Sequence, residues 1–277
     1  MSRINRQTLY DQIIIELFTR LYNQDAVRLD FNRDDMENVI RDLGFRIRNI
    51  PDIKYTYDSR RPFPQEILNT GHWAIVGRGK SQYSFVKIDQ PNLICQPDHI
   101  HFVDPRFKFL EDRTPPLVQT VLGDDEQATM TRLHYSRVIA DFLKMKNIWK
   151  VQGHERTTVS TGQVEIDEVY VAQKGDEKFV IPISAKGKSD CLSYTQALNL
   201  NLYAKEKKRY KDLIPVPLGI CKSDDGLIYI VEFSTPTDIQ SISIIREGCY
   251  KLKSQKDSFW VRFLNWFLGI ENEDNLC

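Results

Sequence analysis

The chain has 277 residues and a mass of 32.4 kDa, so it is long enough to bury two modest hydrophobic cores. Its 38 basic and 38 acidic residues cancel, and the overall charge therefore does not indicate a nucleic-acid partner. No segment has the ~18 uninterrupted apolar residues of a spanning helix, and five widely spaced cysteines without a CxxC pair argue against a zinc ribbon or a disulfide framework. We expect a soluble, cytoplasmic protein with no membrane partner.

Two helices are predicted at the beginning of the chain. Residues 6–23 carry apolar side chains at helical spacing. A second helix is expected in DDMENVIRDLG, where Asn32 or Asp34 can cap the first turn and Gly44 can end the last one.

A basic hairpin is predicted next, as two strands around GRGKS in HWAIVGRGKSQYSFVKI. Residues 46–87 hold eight Lys and Arg against three acids, and a basic face on a neutral protein can bind phosphate. Helices followed by such a hairpin resemble a winged helix-turn-helix, which makes residues 1–112 a candidate DNA-recognition domain with Arg78 and Lys80 on the DNA. The alternative is a generic α+β domain whose hairpin tip is simply solvated.

Two other patterns in this region do not predict a site. GRGKS is not a phosphate loop, because Ala74 stands where that loop needs a glycine and a strand follows where it needs a helix. CQPDHIH, residues 95–101, is interrupted by proline and has no second ligand cluster, so we expect a loop with surface histidines and no metal.

The rest of the chain predicts an α/β domain. Pro115 and Pro116 indicate an extended linker over residues 113–124. Beyond it we expect a helix at 125–146, a strand at 147–159, a two-stranded hairpin, a helix at 193–209 and two further strands. This order, αβββαββ, suits a mixed sheet flanked by helices over residues 125–240.

The hairpin of this domain carries the residues on which the functional interpretation depends. Glu165 and Asp167 are two residues apart in GQVEIDEVYV, and Ser184 and Lys186 are two residues apart in KFVIPISAKGK. Strand side chains alternate between faces, so each pair points to one side of its strand. A turn in AQKGDE can then bring Asp167 and Lys186 together at one site.

Carboxylates and a lysine in this order suit phosphodiester hydrolysis. Mg²⁺ takes oxygen ligands and keeps several waters, so one or two carboxylates and a backbone carbonyl suffice to hold it. Bound metal ions can activate water and neutralise the charge that develops on the phosphate. A lysine beside them can orient or deprotonate the water, or stabilise negative charge.

The two strand motifs, the order αβββαβ and the helix that follows resemble the PD-(D/E)XK nuclease superfamily over roughly residues 120–235. The resemblance implies a restriction-endonuclease-like core in which Asp167 binds Mg²⁺, or Mn²⁺ as a substitute. It makes Ser184-Ala185-Lys186 the (D/E)XK tripeptide, with Lys186 as the catalytic lysine and the Ala185 backbone carbonyl as a metal ligand. It also makes Gln196 the glutamine found early in the following helix, as a contact to DNA.

The chain departs from that superfamily at two positions. Ser184 stands where the superfamily has Glu, Asp or Gln, and Ile166 stands where proline precedes the aspartate. A serine hydroxyl is a poor metal ligand, so another acid is needed. Glu165 on the same strand face and Glu155 on the neighbouring strand are the candidates, and Arg156 beside Glu155 is a candidate contact to phosphate.

The acid that many relatives carry in the first core helix has one candidate, Glu126. The alternative to any site is that Glu165, Asp167 and Lys186 are ordinary residues of a half-solvated sheet. Against that alternative, Asp167 and Lys186 interrupt otherwise apolar strands, where charge is seldom placed without a reason. Residues 241–277 are expected to form an extension with an aromatic helix that packs on the core or on a second copy.

We therefore expect a Mg²⁺-dependent DNA endonuclease, restriction- or defence-like, with DNA as its partner. A homodimer is expected because cutting both strands usually needs two active sites. The alternative function is a catalytically inactive protein that uses the nuclease fold to bind DNA or to act as a scaffold, and Ser184 is the feature that favours it.

Overall fold

The structure is a computed structural model, and it describes residues 6–95, 107–187 and 190–253. The helices are α1 (Arg6–Leu21), α2 (Arg33–Asp42), α3 (Pro51–Tyr55), α4 (Gln65–Leu68), α5 (Pro116–Val121), α6 (Glu126–Tyr135), α7 (Val138–Leu143) and α8 (Tyr194–Glu206). The strands are β1 (Arg28–Asn32), β2 (His72–Gly77), β3 (Gln82–Ile88), β4 (Leu93–Cys95), β5 (Lys108–Glu111), β6 (Asn147–Val159), β7 (Gly162–Lys174), β8 (Glu177–Lys186), β9 (Leu192–Ser193), β10 (Ile214–Pro215), β11 (Leu218–Lys222), β12 (Leu227–Phe233) and β13 (Ile244–Lys253). A π-helical turn, Thr56–Arg60, continues α3.

The N-terminal unit packs α1 and α2 on a three-stranded antiparallel sheet of order β1-β3-β2. The predicted helices and the predicted β2–β3 hairpin are confirmed. The side chain of Asn32 caps α2 by accepting hydrogen bonds from the backbone N–H groups of Asp34 (2.7 Å) and Asp35 (3.1 Å). Gly44 follows that helix with φ +70°, a left-handed conformation that costs glycine little.

Strand β1 was not predicted, and its composition explains why. It has five residues, RLDFN, of which only Leu29 and Phe31 are buried. Two apolar positions are too few for a periodicity signal, so pairing with β3 determines this strand.

The second unit is an eight-stranded mixed sheet. Seven strands follow the order β5-β13-β12-β11-β8-β7-β6, and β10 also pairs with β8. The β6–β7–β8 meander is antiparallel, whereas β11 runs parallel to β8 after the chain has crossed over through α8. Helix α8 packs on one face and α6 and α7 pack on the other, each over its own hydrophobic core. The predicted α/β class, a mixed sheet flanked by helices, is confirmed.

Two local predictions about this unit are wrong. The helix expected over 125–146 is interrupted, because Arg137 has a left-handed backbone (φ 54°) that separates α6 from α7. Pro115 and Pro116 do not keep the linker extended. Pro116 instead begins α5, where proline is tolerated because the first N–H groups of a helix have no intrahelical partner.

Two strands of the large sheet come from outside the predicted core domain. Strand β5 lies in the segment assigned to the N-terminal domain, and β13 lies in the predicted C-terminal extension. They pair with each other in parallel at one end of the large sheet. The expected aromatic helix beyond residue 254 and residues 96–101 of the histidine loop lie outside the described residues. Within the described part of the chain, no helix has the length and apolarity to cross a lipid bilayer.

Candidate active site

A cleft of about 590 Å³ lies between the N-terminal unit, the β6–β7 hairpin and α8. Asp167, Ser184 and Lys186 lie together on its sheet side. The remaining lining residues come from α3 and the π-helical turn, from the hairpin and from the first turns of α8. They are Lys54, Tyr55, Asp58, Ser59, Arg60, Arg156, Gln163, Val164, Glu165, Thr195, Gln196, Asn199 and Leu200.

The pairing of β7 with β8 brings the two strand motifs to this cleft. Glu168 lies opposite Ile183, so Asp167 is level with the Ser184–Ala185 step of the next strand. Ala185 turns its side chain into the core beneath α6 and α7. Because strand side chains alternate, Ser184 and Lys186 point the other way, into the cleft that Asp167 also lines.

Asp167 is half-buried, and its surroundings act on its charge in opposite directions. Burial is the main influence and raises the pKa of Asp167, and the neighbouring Glu165 raises it further. The positive charge of Lys186 and a hydrogen bond from the backbone N–H of Ala185 to Asp167 Oδ2 (2.7 Å) oppose this rise without cancelling it. A bound cation would relieve the remaining cost of ionising this carboxyl group.

Asp167, Glu165 and His154 form the one group of metal-ligating side chains found among the described residues. Each offers one ligand atom, and the three atoms lie within 4.8 Å of one another. Glu165 Oε1 is 3.3 Å from His154 Nε2, and its Oε2 accepts a hydrogen bond from Arg156 Nε (2.8 Å).

This donor set fits Mg²⁺ or Mn²⁺ through its oxygen atoms, since carboxylates and carbonyls suit these ions and imidazole suits softer ones. The Ala185 carbonyl is a further oxygen donor. In an antiparallel ladder, the backbone N–H and C=O groups of one hydrogen-bonded residue point to the same neighbouring strand. Because the Ala185 N–H points to Asp167, we expect its carbonyl to face β7 as well.

The sequence did not indicate His154, which lies on β6 where the backbone has φ 47°. The β6–β7 ladder pairs Gly153 with Glu168 and Glu155 with Ile166, and it skips His154 and Asp167 between them. The register is the same on both sides of this gap, so His154 lies opposite Asp167.

The structure corrects one candidate, Glu155. Its carboxylate does not line the cleft but accepts a hydrogen bond from the Tyr203 hydroxyl and lies beside Arg209 and Lys207. Burial would raise the pKa of Glu155, but the hydrogen bond from Tyr203 and the two cations lower it overall. Successive strand residues face opposite sides, so the β6 backbone that directs His154 to Glu165 directs Glu155 to α8. Glu165 is left as the second acid.

The predicted DNA contacts divide between two places. Gln196 and Arg156 line the cleft. Arg78 lies elsewhere, on the β2–β3 hairpin, where its Nη1 pairs with Asp30 Oδ2 (3.0 Å), and Lys80 is in the turn of that hairpin. Glu126 accepts a hydrogen bond from the backbone N–H of Gly187 (3.2 Å), in an adjoining cavity of about 370 Å³ that Lys186 also lines.

Sequence reasoning missed the wall of the cleft that α3 and the π-helical turn provide. The Tyr55 hydroxyl donates to Asp190 Oδ2 (2.8 Å), and Arg60 Nε lies 3.5 Å from Asp190 Oδ1. The backbone N–H of Cys191 donates to the carbonyl of Ser59. Lys54 and Arg60 belong to the basic excess noted in the sequence, but no pattern in IPDIKYTYDSR indicates that they lie over the end of β8.

Comparison of the chain with family models, with curated proteins and with solved structures found no match. A functional assignment therefore has to depend on the geometry and chemistry of the cleft.

Proposed function

We propose that this protein is a Mg²⁺-dependent DNA endonuclease that hydrolyses phosphodiester bonds in the cleft. One observation carries the proposal. Asp167 and Lys186, from adjacent strands, line the same cleft, and Glu165 lies within ligand distance of Asp167. Carboxylates that hold a metal ion, with a lysine beside them, can carry out metal-assisted phosphodiester hydrolysis.

In this proposal Asp167, Glu165 and the Ala185 carbonyl hold the Mg²⁺ ion, or Mn²⁺ in its place. The bound ion supplies an activated water molecule and charge neutralisation. Lys186 orients that water and stabilises negative charge on the phosphate. The Ser184 hydroxyl can donate a hydrogen bond to water or to a phosphate oxygen. Arg156, whose side chain is 65% exposed, can contact the next phosphate along the strand.

The N-terminal unit supports DNA as the substrate. Its elements run helix, strand, helices and then a β2–β3 hairpin with a basic tip, which agrees with a winged-helix-like domain. Arg78 and Lys80 at that tip are proposed contacts to the DNA backbone, which would strengthen binding in a salt-dependent way. A homodimer remains part of the proposal, because two clefts would allow both strands to be cut, and molar mass in solution tests it.

A second function has one observation in its favour. Ser184 replaces a metal-binding carboxylate, and a protein that had lost catalysis would bind DNA or act as a scaffold without needing Mg²⁺. The two functions predict different effects of Mg²⁺ on the stability of the protein. An inactive fold would show no Mg²⁺-dependent stabilisation that disappears in Asp167→Asn.

The test of the proposal is cleavage by a lysine variant. Purified protein is incubated with Mg²⁺ and a mixture of single-stranded, duplex and branched DNA. Lys186→Ala is expected to reduce cutting by about 10²- to 10⁴-fold, the usual contribution of a positioned acid–base group, while DNA binding is nearly retained. Lys178→Ala is the matched control, since Lys178 lies exposed on the same strand near the β7–β8 turn. Equal cutting by the wild type and Lys186→Ala would remove Lys186 from the mechanism.

A further inference from the structure

We propose that the cleft accepts an unpaired nucleic-acid strand and excludes an intact duplex, and that α3 and the π-helical turn recognise its bases. This inference rests on the proposed function and specifies the substrate class of that same site.

The size of the cleft is the first argument. Its volume of about 590 Å³ is in the range of small-ligand pockets, ~300–1,000 Å³. A cube of that volume has an edge of about 8 Å, whereas the major groove of B-DNA alone is ~12 Å wide. One or two nucleotides of a single strand fit such a space, and a double helix does not.

The second argument is that the wall opposite α8 is fixed in place. Tyr55 and Arg60 are bonded to Asp190, and the backbone at Ser59 is bonded to Cys191, in the loop that follows β8. In addition, β4 pairs with β9 in that same loop region.

The N-terminal unit also contacts the tip of the β6–β7 hairpin. A Cβ atom added at Gly77 would overlap the backbone carbonyl of Thr161, so the two hairpins abut closely. The wall is therefore held at the β8 loop and at the hairpin tip, and widening the cleft for a duplex would have to break these contacts.

The third argument is the chemistry of that wall. The ring of Tyr55 is 38% exposed, and the Arg60 guanidinium lies 4.5 Å from its centre. Aromatic rings and guanidinium planes are the surfaces on which unpaired bases stack. Four cationic side chains line the cleft, and two of them, Arg60 and Arg156, stay 45% and 65% exposed although each is paired with an acid, so they can still contact the backbone of a strand.

Two residues that line the cleft each carry a buried side-chain oxygen. Asp58 Oδ1 and Gln196 Oε1 have no hydrogen-bond partner among the described residues, although both side chains line the cleft. Buried polar atoms in folded proteins are normally satisfied, so donor groups of a bound base would complete the bonding of these side chains if they turned towards the cleft. The amino groups of bases are such donors, and in a duplex their Watson–Crick edges are already engaged.

The experiment measures binding and cutting separately. Binding of a fluorescently labelled DNA oligonucleotide to Lys186→Ala is compared with binding of the same oligonucleotide annealed to its complement. We expect the single strand to bind and the blunt duplex to bind much more weakly. In the same background, Tyr55→Ala should weaken single-strand binding by about 5- to 150-fold, the measured range for loss of one stacked base. Tyr55→Phe keeps the ring and should restore most of the binding.

The outcomes separate this inference from the proposed function. Duplex binding and cutting that equal those of the single strand, with no effect of Tyr55→Ala, would overturn the inference and leave the nuclease intact. Preferential single-strand binding without Mg²⁺-dependent cutting would support the inference and overturn the enzymatic proposal. If Tyr55→Ala unfolds, Arg60→Ala provides the same test, because its guanidinium is the other stacking surface. Binding of neither form of DNA would refute both.

Discussion

Replacing Asp167 by Asn should change the stability of the protein in opposite directions without metal and with Mg²⁺. Because burial raises the pKa of Asp167 in the folded protein, its ionised form is less favourable there than in the unfolded chain. The contribution of this group to the free energy of unfolding is therefore fully present below its pKa in the unfolded chain, ~3.9. It is lost as the pH rises through the higher pKa of the folded protein. Asn carries no charge, so metal-free Asp167→Asn should be more stable than the wild type at neutral pH, and that advantage should vanish in acid.

Mg²⁺ should reverse this order of stability, so that the wild type becomes more stable than Asp167→Asn. A ligand that binds only the folded state at 100 times its Kd stabilises by about 2.7 kcal/mol. For a protein of this size that corresponds to a rise in Tm of about 5–11 °C. The wild type should show this rise and Asp167→Asn should not. The bond from the Ala185 N–H can be kept by the Asn carbonyl oxygen, so the variant should fold.

The assay is thermal unfolding at neutral and acidic pH, in chelator and in Mg²⁺. Asp176→Asn is the matched control, because Asp176 is an exposed residue in the β7–β8 turn. Two results would refute the reasoning. If metal-free Asp167→Asn is less stable than the wild type, burial is not the main influence on the pKa of Asp167. An equal rise in Tm with Mg²⁺ in both proteins would place the ion elsewhere.

Three further substitutions test the geometry. Glu165→Gln removes the second carboxylate and should weaken Mg²⁺ binding, measured by calorimetric titration, by at least the roughly 10- to 100-fold that loss of a residue merely orienting a ligand costs; unchanged affinity would exclude Glu165 as a ligand. Glu155→Gln should lower the free energy of unfolding by about 1–3 kcal/mol yet leave the Mg²⁺-dependent rise in Tm unchanged, because its carboxylate lies outside the cleft. Gly77→Ala should destabilise by about 1–3 kcal/mol through overlap with Thr161, whereas Gly123→Ala, which meets no atom within 4 Å, should not; equal denaturation midpoints would argue against the close hairpin contact.

Features that arise from neighbouring residues could be predicted from the sequence. The sequence predicted the three strands of the β6–β7–β8 meander, and the short turn in AQKGDE brings β7 and β8 together in antiparallel pairing. Because side chains repeat every two residues along a strand, these two facts are enough to bring Asp167 and Lys186 to one side. The cap at Asn32 was predictable for the same reason, since its partners are two and three residues away.

The tertiary structure alone decided what surrounds that pair. Tyr55 and Arg60 reach the cleft from more than a hundred residues away in the chain, through contacts with Asp190 that depend on how two units pack. His154 reaches it because the register of β6 and β7 places it opposite Asp167, and Glu155 is drawn to α8 by Tyr203. Strand β13 joins the far end of the sheet by pairing with β12, and β5 joins it by pairing with β13. Such contacts depend on packing and electrostatics summed over the whole fold, and no local spacing along the chain records them.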